Sequence, residues 1–256
     1  MIHDNAIIDP MARLASDVRV DPWSIIGADV EIESGTWIGS HCVINGPTTI
    51  GRDNHIHPFN SIGGIPQDKK YGGEHTLLTI GDRNVIREYC TFNRGTVQGG
   101  GITKVGNDNW IMAYAHIAHD CRIGNDVIIA NGTTLAGHVL VEDYVTLGGF
   151  TLIHQFCTIG AYSFSGGGSA IAKDVLPYTM VAGNHAKPYG INVVGLKRRG
   201  FDSATVQKLR EAYKIIYNRG NTLDKALLEL EDMASEGDGI GRIIDFLRHS
   251  SRGVVR

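Results

Sequence analysis

An aliphatic residue returns at every sixth position of this chain. Ile8, Leu14, Val20, Ile26, Ile32, Ile38, Ile44, Ile50, Ile56 and Ile62 follow one another without a gap. The phase reappears at Ile80, Ile86 and Phe92 and restarts one residue out of step at Val105. It then runs through Ile111, Ile117, Ile123, Ile129, Leu135, Val141, Leu147, Ile153 and Ile159, slips at Ser165 and returns at Ile171. A period of six fits neither an amphipathic helix, with its 3.6-residue repeat, nor a simple alternating strand. It suits a coil of three flat faces, each a hexad with its aliphatic residue pointing inward and small or polar residues turning the corners. The fold class read from this pattern is an all-β parallel β-helix.

The pattern resembles the hexapeptide-repeat family, whose β-helix is left-handed and which is typically a homotrimer. Two interruptions, at about 63–76 and 94–104, read as loops leaving the prism, and loops on a rigid scaffold are where function concentrates. The β-helix is assigned to 1–186 and a linker to 187–200. Beyond Gly200 the period becomes helical, with Val206, Leu209, Ala212, Tyr213 and Ile216 on one face, then Leu223, Ala226, Leu227, Leu230 and Met233, then a third segment from Ile240 to His249. Residues 201–256 are therefore expected to form a small C-terminal three-helix domain.

A chain of 256 residues with 42% hydrophobic content can bury a substantial core, and a formal charge of −3 argues against a nucleic-acid-binding protein. Cys42, Cys90, Cys121 and Cys157 are scattered, without metal-binding spacing, and read as reduced thiols. The amino terminus lacks a basic region followed by an apolar run, and no apolar stretch is long enough for an integral membrane segment. The expected location is cytoplasmic.

Chemistry enters at Ala115-His116-Ile117-Ala118-His119-Asp120-Cys121. The hexads led by Ile117, Leu135 and Ile153 stack on the same face of successive coils, which brings His119, His138 and His154 to one corner, with His116 just before it. Gly137 falls directly above His119 and leaves room beside it. Asp120, next in sequence, is expected to point away, leaving a backbone carbonyl to orient the imidazole. Clustered histidines fit general acid–base work, since imidazole titrates near neutrality. They fit equally a zinc site of the kind gamma-class carbonic anhydrases build between subunits, or a non-catalytic scaffold.

The runs His116-Ile117-Ala118-His119-Asp120-Cys121, Leu135-Ala136-Gly137-His138-Val139, Ile153-His154-Gln155-Phe156-Cys157 and Gly195-Leu196-Lys197-Arg198-Arg199-Gly200-Phe201 resemble the UDP-N-acetylglucosamine 3-O-acyltransferase family of lipid A synthesis. Gln67-Asp68 with Lys70-Tyr71 and Arg94-Gly95-Thr96-Val97-Gln98 match as well, so the resemblance covers the whole chain. It implies transfer of a 3-hydroxyacyl group from acyl carrier protein to a UDP-sugar, with His119 as general base. It also implies substrate contacts at Asp68, His116, His138, His154, Gln155, Asn192, Arg198 and Arg199, and an acyl-chain ruler at Gly167. Adjacent Arg198 and Arg199 suit a diphosphate on their own chemistry. The Gly137 N–H is the candidate oxyanion donor. No metal and no cofactor are implied.

Asn93 stands where that family usually has a histidine, and Val194 where it has an acid. Because valine cannot accept a hydrogen bond, a 3-amino sugar nucleotide is an alternative acceptor. The N-acyltransferase of the same pathway and a coenzyme A-dependent acetyltransferase are further enzymatic alternatives.

Overall fold

The computed structural model describes residues 1–234 and 239–256. The strands from Ile7–Ile8 to Thr179–Ala182 wind into a left-handed parallel β-helix, the fold that the hexads and the family resemblance together imply. Its three faces are parallel sheets of nine, eight and ten strands, the last including one antiparallel terminal strand. Most strands are only two residues long, an outward residue followed by the inward aliphatic one, as in His116–Ile117 and Thr134–Leu135. Register is kept coil after coil: Ile117 pairs with Leu135, and Leu135 with Ile153. Ile26, Ile38, Ile44, Ile56, Ile86, Ile111, Ile117 and Ile129 are fully buried in one continuous column. Each such side chain contributes about 1.5–3 kcal/mol relative to exposure.

The corners depart from the expectation of small or polar residues. A β-strand crossover is ordinarily right-handed, and here the reversed turn is made by residues at positive φ. Phe59, Tyr89 and Tyr114 occupy one corner, Asp120, His138 and Phe156 a second, and Asp126, Tyr144 and Tyr162 the third, all with φ between 55° and 65°. The left-handed conformation costs a non-glycine residue about 1–2 kcal/mol. Stacking along each corner offsets part of that, at about 0.5–1.5 kcal/mol per aromatic pair. Ring centroids are 5.1 Å apart for Phe59 and Tyr89, 5.0 Å for Tyr89 and Tyr114, and 4.7 Å for Tyr144 and Tyr162.

The stretch expected as a linker is ordered structure instead. Lys187–Ile191 is a strand antiparallel to Thr179–Ala182, and helix α1 spans Val193–Arg198. Its N-cap, Asn192, accepts from the Gly195 N–H at 3.1 Å and donates through Nδ2 to the Tyr162 carbonyl at 2.9 Å. This cap signal lay hidden because Lys187-Pro188-Tyr189-Gly190 reads locally as a turn.

Helices α2 (Ser203–Tyr217), α3 (Leu223–Met233) and α4 (Ile240–His249) follow. Asp202 and Thr222 cap α2 and α3 by accepting the N–H groups of Thr205 and Lys225. A second core joins Leu196, Val206, Leu209, Leu230, Ile243 and Leu247 to Leu176 and Tyr178, seating the helices on the last coil.

Candidate active site

The site begins where the chain turns the second corner. The strand His116–Ile117 ends, and Ala118 to Cys121 make the turn, with Asp120 at φ 62°. That left-handed residue corrects the expectation that Asp120 points away from His119. Adjacent side chains diverge on a flat strand, but the corner reverses the chain between them. Asp120 Oδ2 lies 2.7 Å from His119 Nδ1, so a carboxylate, not a backbone carbonyl, orients the ring. A His-Asp pair placed after the hexad's aliphatic residue was the available signal, since aspartate takes left-handed φ more readily than most residues.

Asp120 is 5% exposed and its other contacts are satisfied. Its Oδ1 accepts the Thr96 N–H at 2.8 Å, its Oδ2 accepts the Thr96 hydroxyl at 2.6 Å, and its own N–H donates to Thr103 Oγ1 at 2.7 Å. Thr96 and Thr103 are contributors that the sequence did not single out. Two buried donors from Thr96 fix the carboxylate, Thr103 holds the Asp120 backbone, the carboxylate fixes Nδ1, and Nε2 is left as the basic edge of the ring.

Gly137 occupies the same place one coil on. A Cβ there would come within 2.6 Å of His119 Cε1 and 2.8 Å of Nε2, so only glycine leaves the ring in position. The buried Gly137 N–H donates to no group among the described residues, although its carbonyl accepts from Phe156. An N–H left free beside His119 suits an anion formed in passing.

His138 stands edge-on to His119, with centroids 5.1 Å apart, and stacks on Phe156 at 4.4 Å. Burial is the main cause of its depressed pKa, opposed by the charges of Asp120 and Asp68, so it is held neutral near pH 7. Asp68, on the 65–76 loop, is thus near enough for its charge to act on His138. His116 lies with Nδ1 2.7 Å from Thr91 Oγ1, and burial, then the nearby His119, lowers its pKa. His154 and Gln155 are exposed at the rim of the next coil, with His154 Nδ1 3.2 Å from the Gln155 carbonyl.

The remaining candidates sit apart. Arg199 pairs with Asp126 at 3.0 Å and lies over the Tyr144 ring at 4.6 Å, which puts it on the third corner. Arg198 is exposed at the end of α1, and Asn192 serves as its buried cap. Within one chain these three do not meet His119. Gly167 is exposed on the corner before the first face. Asn93 is buried with Nδ2 donating to the Ile65 carbonyl at 3.0 Å, and Val194 is exposed on α1.

His119, Asp120 and His138 offer ligand atoms within 4.8 Å of one another, the geometry of a possible metal site. Both Asp120 oxygens, however, already accept protein donors, and His119 Nδ1 is committed to one of them. The arrangement suits proton transfer better than coordination.

Residues 174–255 match the family model for Udp N-acetylglucosamine O-acyltransferase, domain 2, and residues 29–64 and 102–137 that for the bacterial transferase hexapeptide. An acyl-(acyl-carrier-protein)–UDP-N-acetylglucosamine O-acyltransferase of Stenotrophomonas maltophilia is 52% identical over the whole chain and 97% of its own length. LpxA of Acinetobacter baumannii, 47% identical, superposes with a TM-score of 0.95 over 100% of this chain and 99% of that one. The Bacteroides fragilis LpxA, a UDP-N-acetylglucosamine acyltransferase, is 38% identical and reaches 0.98 over the full length of both.

Proposed function

Because the chain belongs to the UDP-N-acetylglucosamine O-acyltransferase family, we propose that it transfers a 3-hydroxyacyl group from acyl carrier protein to the 3-hydroxyl of UDP-N-acetylglucosamine, the first step of lipid A synthesis. The observation that carries the mechanism is the fixed His119, tied through Nδ1 to Asp120 and open at Nε2 above Gly137. With Nδ1 donating to the carboxylate, Nε2 takes the proton of the sugar hydroxyl as the oxygen attacks the thioester carbonyl. A carbon–oxygen bond forms and the carbonyl oxygen becomes an anion, for which the Gly137 N–H is the donor. Collapse breaks the carbon–sulfur bond, and the imidazolium returns the proton to the departing thiolate. Atoms and charge balance without a covalent enzyme intermediate, and no cofactor or metal takes part. The close relatives favour the hydroxyl acceptor over a 3-amino sugar and over a zinc hydratase.

The site is read as lying between subunits of a homotrimer. His119 and the Arg198–Arg199 pair occupy different corners of one chain, and the larger cavities, up to about 590 Å³, are lined by other residues. An apolar strip supports self-association: Trp23, Phe59, Tyr89, Tyr114 and Phe150 line one corner, beside exposed Ile7, Ile25, Val43 and Leu152. Asp68, His116, His138, His154, Gln155 and Asn192 are assigned to substrate contact and the two arginines to the diphosphate. Cytoplasmic residence fits four buried free thiols, and no helix among the described residues is long and apolar enough to cross a membrane.

The test is purified protein with carrier protein loaded with 3-hydroxyacyl chains of several lengths, offered UDP-N-acetylglucosamine and its 3-amino analogue. Ester formation on the hydroxy sugar is expected; acylation of the amino analogue alone would reject this acceptor.

A further inference from the structure

The segment Asn93-Arg94-Gly95-Thr96 runs from the last residue of the strand Thr91–Asn93 to the 3₁₀ turn Val97–Gly99, and it is buried although it carries three polar side chains. Arg94 is 8% exposed and pairs with carbonyl oxygens rather than a carboxylate. Nη1 donates to Gly46 and Gly63 at 2.7 Å each, and Nη2 to the Tyr71 hydroxyl at 3.3 Å. Burying a guanidinium this way is costly unless the geometry it imposes is needed.

What it imposes is the shape of the 65–76 loop. The Arg94 N–H donates to Gly64, Asn93 Nδ2 to Ile65, and the Gly95 N–H to Leu77, so both ends of the loop are pinned. The Tyr71 hydroxyl donates onward to the Glu74 carbonyl at 2.8 Å, and the Tyr71 N–H to the Asp68 carbonyl at 3.1 Å. The path from Arg94 through Tyr71 ends at Asp68, on the loop that the family resemblance assigns to substrate contact. At the other end of the segment, Thr96 supplies two of the donors that fix Asp120. Gly99 packs so closely that a Cβ there would fall 2.0 Å from the Asp120 carboxyl carbon.

We propose that Asn93–Thr96 is one rigid splint with two outputs: Arg94 positions the acceptor-binding loop, and Thr96 positions the base through Asp120. This rests on the acyltransfer reading above. Asn93, replacing the family's usual histidine, then acts on the loop base and not on the sugar.

The two outputs separate kinetically. Thr96→Val keeps shape and backbone N–H but removes the hydroxyl donor. It should lower kcat roughly 10- to 100-fold, the scale of a hydrogen bond to a charged group, while KM for both substrates stays within about twofold. Thr96→Ser restores the donor and should hold kcat within about threefold of wild type. Tyr71→Phe removes the hydroxyl linking Arg94 to the loop, and should raise KM for the sugar nucleotide roughly three- to tenfold with kcat retained. Equal losses in the valine and serine variants, or a valine variant with wild-type kcat, would overturn the Thr96 role. An unchanged KM in Tyr71→Phe would overturn the loop role, and this half-buried loop position keeps the test decisive if Thr96→Val does not fold. Absence of acyl transfer by wild-type protein would instead reject the underlying function.

Discussion

His119 and Asp120 are sequence neighbours whose side chains meet, Nδ1 to Oδ2 at 2.7 Å, because Asp120 turns the corner at φ 62°. The pair predicts two different losses. His119→Ala removes the base and should lower turnover at least about 10²-fold with the fold intact. Asp120→Asn keeps the shape but removes the anion that orients the ring, and should lower kcat with little change in KM. An alanine variant within threefold of wild type would sink the assignment of His119.

Gly137 gives a test that adds atoms instead of removing them. Its φ is not left-handed, so the backbone tolerates alanine, but the new Cβ would fall 2.6 Å from the His119 ring. The imidazole must move, and an error of about 1 Å in a catalytic group costs on the order of 10²-fold. Gly137→Ala should therefore lose kcat while its melting temperature stays near wild type. Full activity would show that Nε2 does not work against this face.

The hexads made the three-faced coil, the inward residues and the His119 corner legible, because burial of one aliphatic per six residues is a local rule. The corners were less legible. Their left-handed residues are set by the coil's handedness, so Phe59, Tyr89 and Tyr144 look like misplaced apolar residues until their stacking partners one coil away are known. Thr96 escaped notice because its role lies in a partner 24 positions away, Asp120. Arg199 was chosen for its charge, but its pairing with Asp126, 73 residues away, depends on how the helices seat on the last coil.

Acid should destabilise this fold through its partly buried imidazoles. His57, His116 and His138 all have pKa values below the ordinary 6.5, with burial the largest cause in each. The folded protein thus binds these protons less readily than the unfolded chain does. Stability is full above the unfolded pKa and declines as pH falls through it, until the folded groups titrate as well. The melting temperature should drop between about pH 7 and pH 5, and His116→Gln should flatten that slope. A slope unchanged in the variant would remove His116 from the account.

Carrier-protein docking is expected at the start of the helical region, where Lys197, Arg198, Arg199, Lys208, Arg210, Lys214 and Arg219 give a basic bias. The structure narrows the set. Arg199, Lys214 and Arg219 are paired with Asp126, Glu211 and Glu229, whereas exposed Lys197, Arg198 and Arg210 carry no ion pair among the described residues. Charge reversal at Lys197 and Arg210 together should raise KM for the acylated carrier roughly three- to tenfold and weaken its salt dependence. Equal KM for wild type at low and high ionic strength would reject docking here.

Acyl length should be read at Gly167. Of the run Gly166-Gly167-Gly168, only Gly168 takes left-handed φ, at 69°, so it alone is required by the backbone conformation. A Cβ on Gly166 would press on Ala182 at 2.9 Å, whereas one on Gly167 would meet only the Gly149 carbonyl at 3.5 Å, an ordinary contact. The fold therefore does not require glycine here, which is compatible with the acyl-chain ruler that the family resemblance implies at this position. With that space empty, chains of about 12–14 carbons are expected, each buried methylene contributing about 0.8 kcal/mol. Gly167→Met fills the space without backbone strain and should move preference to chains about four carbons shorter, with kcat on those chains retained. Carrier protein loaded with 3-hydroxyacyl chains of graded length reads the shift directly. An unchanged length profile in an active variant would mean that the groove ends elsewhere.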